Sequence, residues 1–75
     1  MFLDNKMTIG QKIKALRLAN GIKQKEFAQM LSISPQAISK WESGKNMPDI
    51  SILPKIADIF GTSIDELLGH KTTKR

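Results

Sequence analysis

Residues 24–44 read Gln24-Lys25-Glu26-Phe27-Ala28-Gln29-Met30-Leu31-Ser32-Ile33-Ser34-Pro35-Gln36-Ala37-Ile38-Ser39-Lys40-Trp41-Glu42-Ser43-Gly44. In the first eight of these, Phe27, Ala28 and Leu31 recur at the i, i+1, i+4 spacing of an apolar helical stripe, which predicts a two-turn helix over Gln24 to Leu31. A helix that short is marginal alone, so its neighbours must hold it. Ser34 is a good N-cap, and Pro35 suits the first helical position because its missing N–H would have had no partner there. The next helix is expected from Pro35 to about Ser43, ended by Gly44. Only Ser32-Ile33-Ser34 separates the two, and so tight a break favours the steep crossing of a helix-turn-helix over an antiparallel pair.

Upstream, Thr8-Ile9-Gly10-Gln11 is a capping box: the Thr8 hydroxyl accepts from the Gln11 N–H while the Gln11 side chain reaches back. Ile9, Ile13 and Leu16 share one face, and Asn20-Gly21 supplies the stop, so a first helix is expected from Ile9 to Asn20. Downstream, Asp49 can cap a helix running through Phe60 to Gly61, with Pro54 removing one backbone bond and making the first turn irregular. Ser63-Ile64-Asp65-Glu66 is a second capping box, opening a one-turn helix that closes at Gly69. No segment alternates with period two, so strands are not expected. The fold class is all-α: a domain over residues 8–69, with an N-terminal extension at 1–7 and a basic tail at 70–75.

Composition narrows the possible functions. The chain has 75 residues, 40% hydrophobic and 25% charged, the balance of one folded domain with little room for an enclosed pocket. There is no Cys, and the one His, His70, lies near the end, which argues against structural zinc or any other metal site. Met1 to Lys6 lacks the apolar run of a signal peptide, and no stretch approaches the roughly 20 apolar residues of a membrane span. A cytoplasmic location is expected. The net charge of +5 is unevenly placed, with eight Lys or Arg against three acids in residues 1–45 and four against four beyond. A basic half on a small domain suggests a polyanionic partner, though unrelated small domains are basic too.

The third helix carries the sharper signal. At about 100° per residue, Ala37, Ile38 and Trp41 fall on one side and Gln36, Ser39, Lys40 and Ser43 on the other. The second face has no apolar residue and no acid. Gln can pair with adenine N6 and N7, Lys can donate to guanine O6 and N7, and Ser can bond bases or phosphate. On periodicity alone the simpler reading is that these are ordinary solvated residues.

The wider pattern resembles the Cro and phage-repressor type of helix-turn-helix regulators, the XRE family, over residues 8–69. The motifs that carry the resemblance are Ile13-Lys14-Ala15-Leu16-Arg17, Gln24-Lys25-Glu26-Phe27-Ala28, Ile38-Ser39-Lys40-Trp41-Glu42-Ser43-Gly44, Pro48, and Ser63-Ile64-Asp65-Glu66-Leu67-Leu68-Gly69. The resemblance implies a compact, lambda-repressor-like bundle of five helices whose third helix enters the major groove of an operator in double-stranded DNA, with transcriptional repression as the expected outcome and the nucleoid as the place of work. Position by position it implies base contacts from Gln36, Ser39 and Lys40. It implies phosphate contacts from Gln24, at the anion-favouring start of helix two, and from Ser43, Lys45 and Asn46 after helix three.

Two departures stand out. Ser32 occupies a turn position where the family often has Gly, and a non-Gly residue held left-handed costs about 1 kcal/mol. Pro35 stands where some relatives have a polar base reader; it either only starts the helix or also touches a thymine methyl. Arg17 and Glu42 each border an inward face, and half-buried charges are normally paired. Their positions match a family salt bridge that would fix the tilt of the reading helix, against the alternative of two separate surface charges. Trp41 is expected in the core.

Catalysis is not expected: the acids are scattered and the Ser residues sit at caps or on helix three. No cofactor or small-molecule site is evident. The competing class is a protein-interaction module of the same fold, such as an antitoxin or an adaptor. A homodimer on DNA is expected, since one such domain covers a half-site. Whether Ile64, Leu67 and Leu68 serve the core or a twin is left open.

Overall fold

A computed structural model describes residues 7–68. The first six residues, the helix stop at Gly69, His70 and the basic tail lie outside the described residues. Among those described there are five α-helices and no strand: α1 (Ile9–Ala19), α2 (Gln24–Leu31), α3 (Pro35–Ser43), α4 (Leu53–Phe60) and α5 (Ile64–Leu68), with a 3-10 turn (Ile50–Ile52) before α4.

Local chemistry sets most boundaries. Thr8 Oγ1 accepts from the Gln11 N–H at 3.1 Å and Gln11 Oε1 accepts from the Thr8 N–H at 2.9 Å, closing the box that starts α1. Ser34 Oγ accepts from the Ala37 N–H at 3.2 Å, with Pro35 in the first turn of α3. Ser63 and Glu66 make the same reciprocal pair at the start of α5. Helix α1 stops at Ala19, one residue short of Asn20, whose side-chain amide turns back to the Leu16 carbonyl.

The fourth helix differs from expectation. Asp49 caps the 3-10 turn, with Oδ2 accepting from the Ser51 N–H at 3.1 Å, and α4 begins only at Leu53. Pro54 has no N–H to return to the Ile50 carbonyl, so α-geometry cannot run through residues 50–54. Starting at Leu53 puts the proline in the first turn, where no donor is needed.

Helix α2 ends as α3 does, in a Schellman motif: the Ile33 N–H returns to the Ala28 carbonyl at 3.0 Å, as the Lys45 N–H returns to that of Lys40 at 2.9 Å. The pivot after α3 is Gly44. After α2 it is Ser32, at φ 59° and ψ 41°, the one non-glycine with positive φ among the described residues. The strain expected there is present, and it shapes the turn that swings α3 away from α2.

Ile13, Phe27, Ile38, Ile56 and Leu67, one residue from each helix, are fully buried at the centre. Phe27 meets Phe60 with ring centroids 5.2 Å apart. Trp41 closes the core on the α3 side and is 6% exposed. The C-terminal apolar run divides: Leu67 goes inward, while Ile64 and Leu68 remain exposed.

Helix α1 lies against α3 at a point the sequence did not advertise. A Cβ on Gly10 would sit 1.7 Å from the Trp41 carbonyl oxygen, so the two backbones touch where Gly10 has no side chain.

Candidate nucleic-acid interface

The outward face of α3 is built by what its inward face buries. With Ile38 and Trp41 in the core, the helical period turns Gln36, Ser39 and Lys40 to solvent, beside the exposed Pro35 and Ser43. The only acid on α3, Glu42, faces away with its side chain 4% exposed. The resulting surface offers hydrogen-bond donors and one cation, with no acid or apolar side chain on the outward face itself.

Behind it is a polar cluster. Arg17 Nε donates to Glu42 Oε2 at 2.7 Å and Nη2 to Oε1 at 3.0 Å, a two-point pair between side chains only 7% and 4% exposed. Arg17 Nη1 also donates to the Ile22 carbonyl at 2.8 Å. One guanidinium thereby joins α1, the α1–α2 corner and α3. Burial pushes the Glu42 carboxyl up, but hydrogen bonds from Arg17 and Gln24, with the charges of Arg17 and Lys14, outweigh it and bring its pKa below the ordinary 4.5.

Gln24 is half-buried at the start of α2, and its Nε2 donates to Glu42 Oε1 at 2.9 Å. The sequence reading placed Gln24 at a phosphate and did not connect it with Glu42. Pattern reading does not find such a bond, which spans 18 residues and depends on how steeply α2 crosses α3. At the start of α2, Glu26 Oε1 accepts from the Lys23 N–H at 2.9 Å, but the Lys23 side chain has no acceptor to return, so among the described residues no side chain accepts from the N–H groups of Gln24 to Glu26.

Ser43, Lys45 and Asn46 lie together at the end of α3, all exposed. The Lys40 carbonyl draws in the Ser43 hydroxyl at 3.2 Å and the backbone N–H groups of Lys45 and Asn46 at 2.9 and 3.2 Å. An anion here therefore meets the side chains of Lys45 and Asn46, and Ser43 only if its hydroxyl rotates. Nearby, a half-open depression of about 400 Å³ is lined by Met7, Ile9, Gly10, Trp41, Met47 and Leu68 among others. No motif in the sequence pointed to it.

A profile described as helix-turn-helix matches residues 13–67. The chain belongs to the XRE-type helix-turn-helix family. This helix-turn-helix chain is 42% identical over 62 residues to the HTH-type transcriptional activator BcrR of Enterococcus faecalis, covering 83% of this chain and 30% of that protein. It is 37% identical over 67 residues to the CTXphi transcriptional repressor RstR of Vibrio cholerae, covering 89% of this chain and 60% of that protein. Among solved structures it is similar to the P22 c2 repressor in complex with a synthetic operator, with a TM-score of 0.77 and 30% identity over 84% of this chain and 96% of that one. The helix-turn-helix chain spans between 30% and 60% of the length of these two curated relatives. Among the described residues no helix is long and apolar enough to cross a membrane.

Proposed function

We propose that this helix-turn-helix chain binds double-stranded DNA sequence-specifically and acts as a transcriptional regulator, repressing where its site overlaps a promoter. The observation that carries the reading is the exposed, acid-free face of Gln36, Ser39 and Lys40 on a helix whose back is anchored in the core. An α-helix fits the major groove, where Gln36 would pair with adenine and Lys40 with guanine, with Ser39 beside them. Gln24, Lys45, Asn46 and a rotated Ser43 would hold the phosphates on either side and set the register. The similarity to the P22 c2 repressor, which was solved in complex with an operator, supports DNA as the partner. Work on DNA would place the protein at the nucleoid.

A homodimer completes the reading. One chain presents one reading helix, whereas two copies reach half-sites about 34 Å apart on one face of the duplex. Met7, Met47 and Leu68 are exposed apolar residues lining the depression beside α3, a surface suited to a second copy.

Binding-site selection from random duplexes, with affinity then measured against salt, tests the proposal. A recovered motif and a log affinity that falls steeply and linearly with log salt are expected. Recovery of no motif, with binding indifferent to salt, favours a protein-interaction module such as an antitoxin or adaptor.

A further inference from the structure

The Gln24 amide is tied on one side and open on the other. Glu42 is a carboxylate held ionised by Arg17, and a carboxylate only accepts, so the Gln24 nitrogen and not its oxygen must face it. The amide nitrogen carries two hydrogens about 120° apart. One is taken by Glu42 Oε1, and the second has no partner among the described residues. Glu42 is buried behind Gln24, which itself is half-exposed.

We propose that Glu42 is a positioning residue for DNA binding: by accepting one N–H of Gln24 it sets the amide so that the other N–H is offered to a backbone phosphate. This rests on the DNA-binding reading above. A free glutamine samples several rotamers and both amide orientations, and only some present a donor; the bond to Glu42 removes the rest before the duplex arrives. Arg17 completes the device by neutralising the carboxylate, so an approaching phosphate meets a donor and no net negative charge. The buried pair thus acts on the interface through Gln24 as well as through the tilt of α3.

The test is a double-mutant cycle on affinity for a mixed-sequence duplex, using Gln24→Ala, Glu42→Gln and both together, with folding of each followed by circular dichroism. Gln24→Ala should weaken binding about tenfold on every sequence, as loss of a hydrogen bond to a charged group does. Glu42→Gln frees the amide to flip and should weaken binding by several-fold. The loss in the double variant should be smaller than the product of the two single losses, because part of the Glu42 effect is exerted through Gln24. If the double loss equals the product of the single losses, Glu42 acts independently of Gln24 and the proposal is overturned while DNA binding stands.

Should Glu42→Gln not fold, NMR of the 15N-labelled wild-type protein decides. One Gln24 side-chain proton, held by Glu42, should be unmoved by added duplex, and the other should shift. Neither proton shifting in a protein that binds the duplex overturns the proposal. No binding to duplex at low salt overturns both it and the DNA reading.

Discussion

Helix α3 is fastened to α1 at two places by opposite means. At Gly10 the fastening is the absence of a side chain: the backbones meet, and a Cβ there would lie 1.7 Å from the Trp41 carbonyl oxygen. At Arg17 it is one of the longest side chains, with three hydrogen bonds to Glu42 and Ile22. The first contact sets how close the helices come and tolerates no added volume. The second sets how they are rotated, and it depends on both partners being charged. Close approach at the start of α1 and a rigid polar pair near its end both grip the last turn of α3, at Trp41 and Glu42, and leave that turn little freedom to shift or rotate.

The contrast can be broken first at Gly10. Gly10→Ala gains helix propensity but drives a methyl group into backbone, and should destabilise the fold by about 3–5 kcal/mol in denaturant melts. A loss under 1 kcal/mol would mean that the helices part easily there. At the other end, Arg17→Met or Glu42→Leu leaves a buried charge alone and should cost about 2–4 kcal/mol, with the double replacement recovering part of it. Additive effects below about half a kcal/mol each would show the charges to be independent.

Acid attacks only the second fastening. Because the Glu42 pKa is lowered on folding, its contribution is present above 4.5 and is lost as pH falls below that value toward the folded pKa. Exposed Asp49 and Glu66 shift in the same direction. Wild-type melts should therefore lose stability below pH 4.5, and Glu42→Gln should flatten part of that slope, whereas a Gly10 variant should keep all of it.

If both fastenings serve the outward face, changes on that face should spare the fold. Gln36→Ala and Lys40→Ala should each cost about 1–3 kcal/mol on the selected duplex and relax base choice at one position, with melts unchanged. An unchanged selected motif would remove them as readers. The smallest effect sharpens what glycine means here. Gly10 is required for space, whereas Ser32 stands where backbone conformation alone favours glycine, so Ser32→Gly should stabilise by about 1 kcal/mol in thermal melts.

The sequence disclosed whatever depends on near neighbours. Ser34-Pro35 and Gly44 bracket α3, and the stripe Phe27, Ala28, Leu31 marks α2, because caps and periodicity act within a turn or two. The outward set Gln36, Ser39 and Lys40 followed from the same period. The capping box gives Gly10 no role of its own, although a glycine inside a helix costs about 1 kcal/mol and so hints at a close approach. The bond from Gln24 to Glu42 was hidden because it depends on a crossing angle, and a residue pattern carries no angles. The turn at Ile50–Ile52 was merged into α4 because Asp49 is as good a cap for a 3-10 turn as for an α-helix.

The three hydrogen bonds of Arg17, to Glu42 and Ile22, also bear on modularity. Helices α2 and α3 form a compact pair joined by a short turn and invite transplantation into another scaffold. Glu42 would travel with them, but the guanidinium that neutralises it belongs to α1, and Gln24 would remain hydrogen-bonded to an orphaned carboxylate. Helices α2 and α3 are therefore not separable from α1, and a graft must bring at least Arg17 and the Gly10 contact with it.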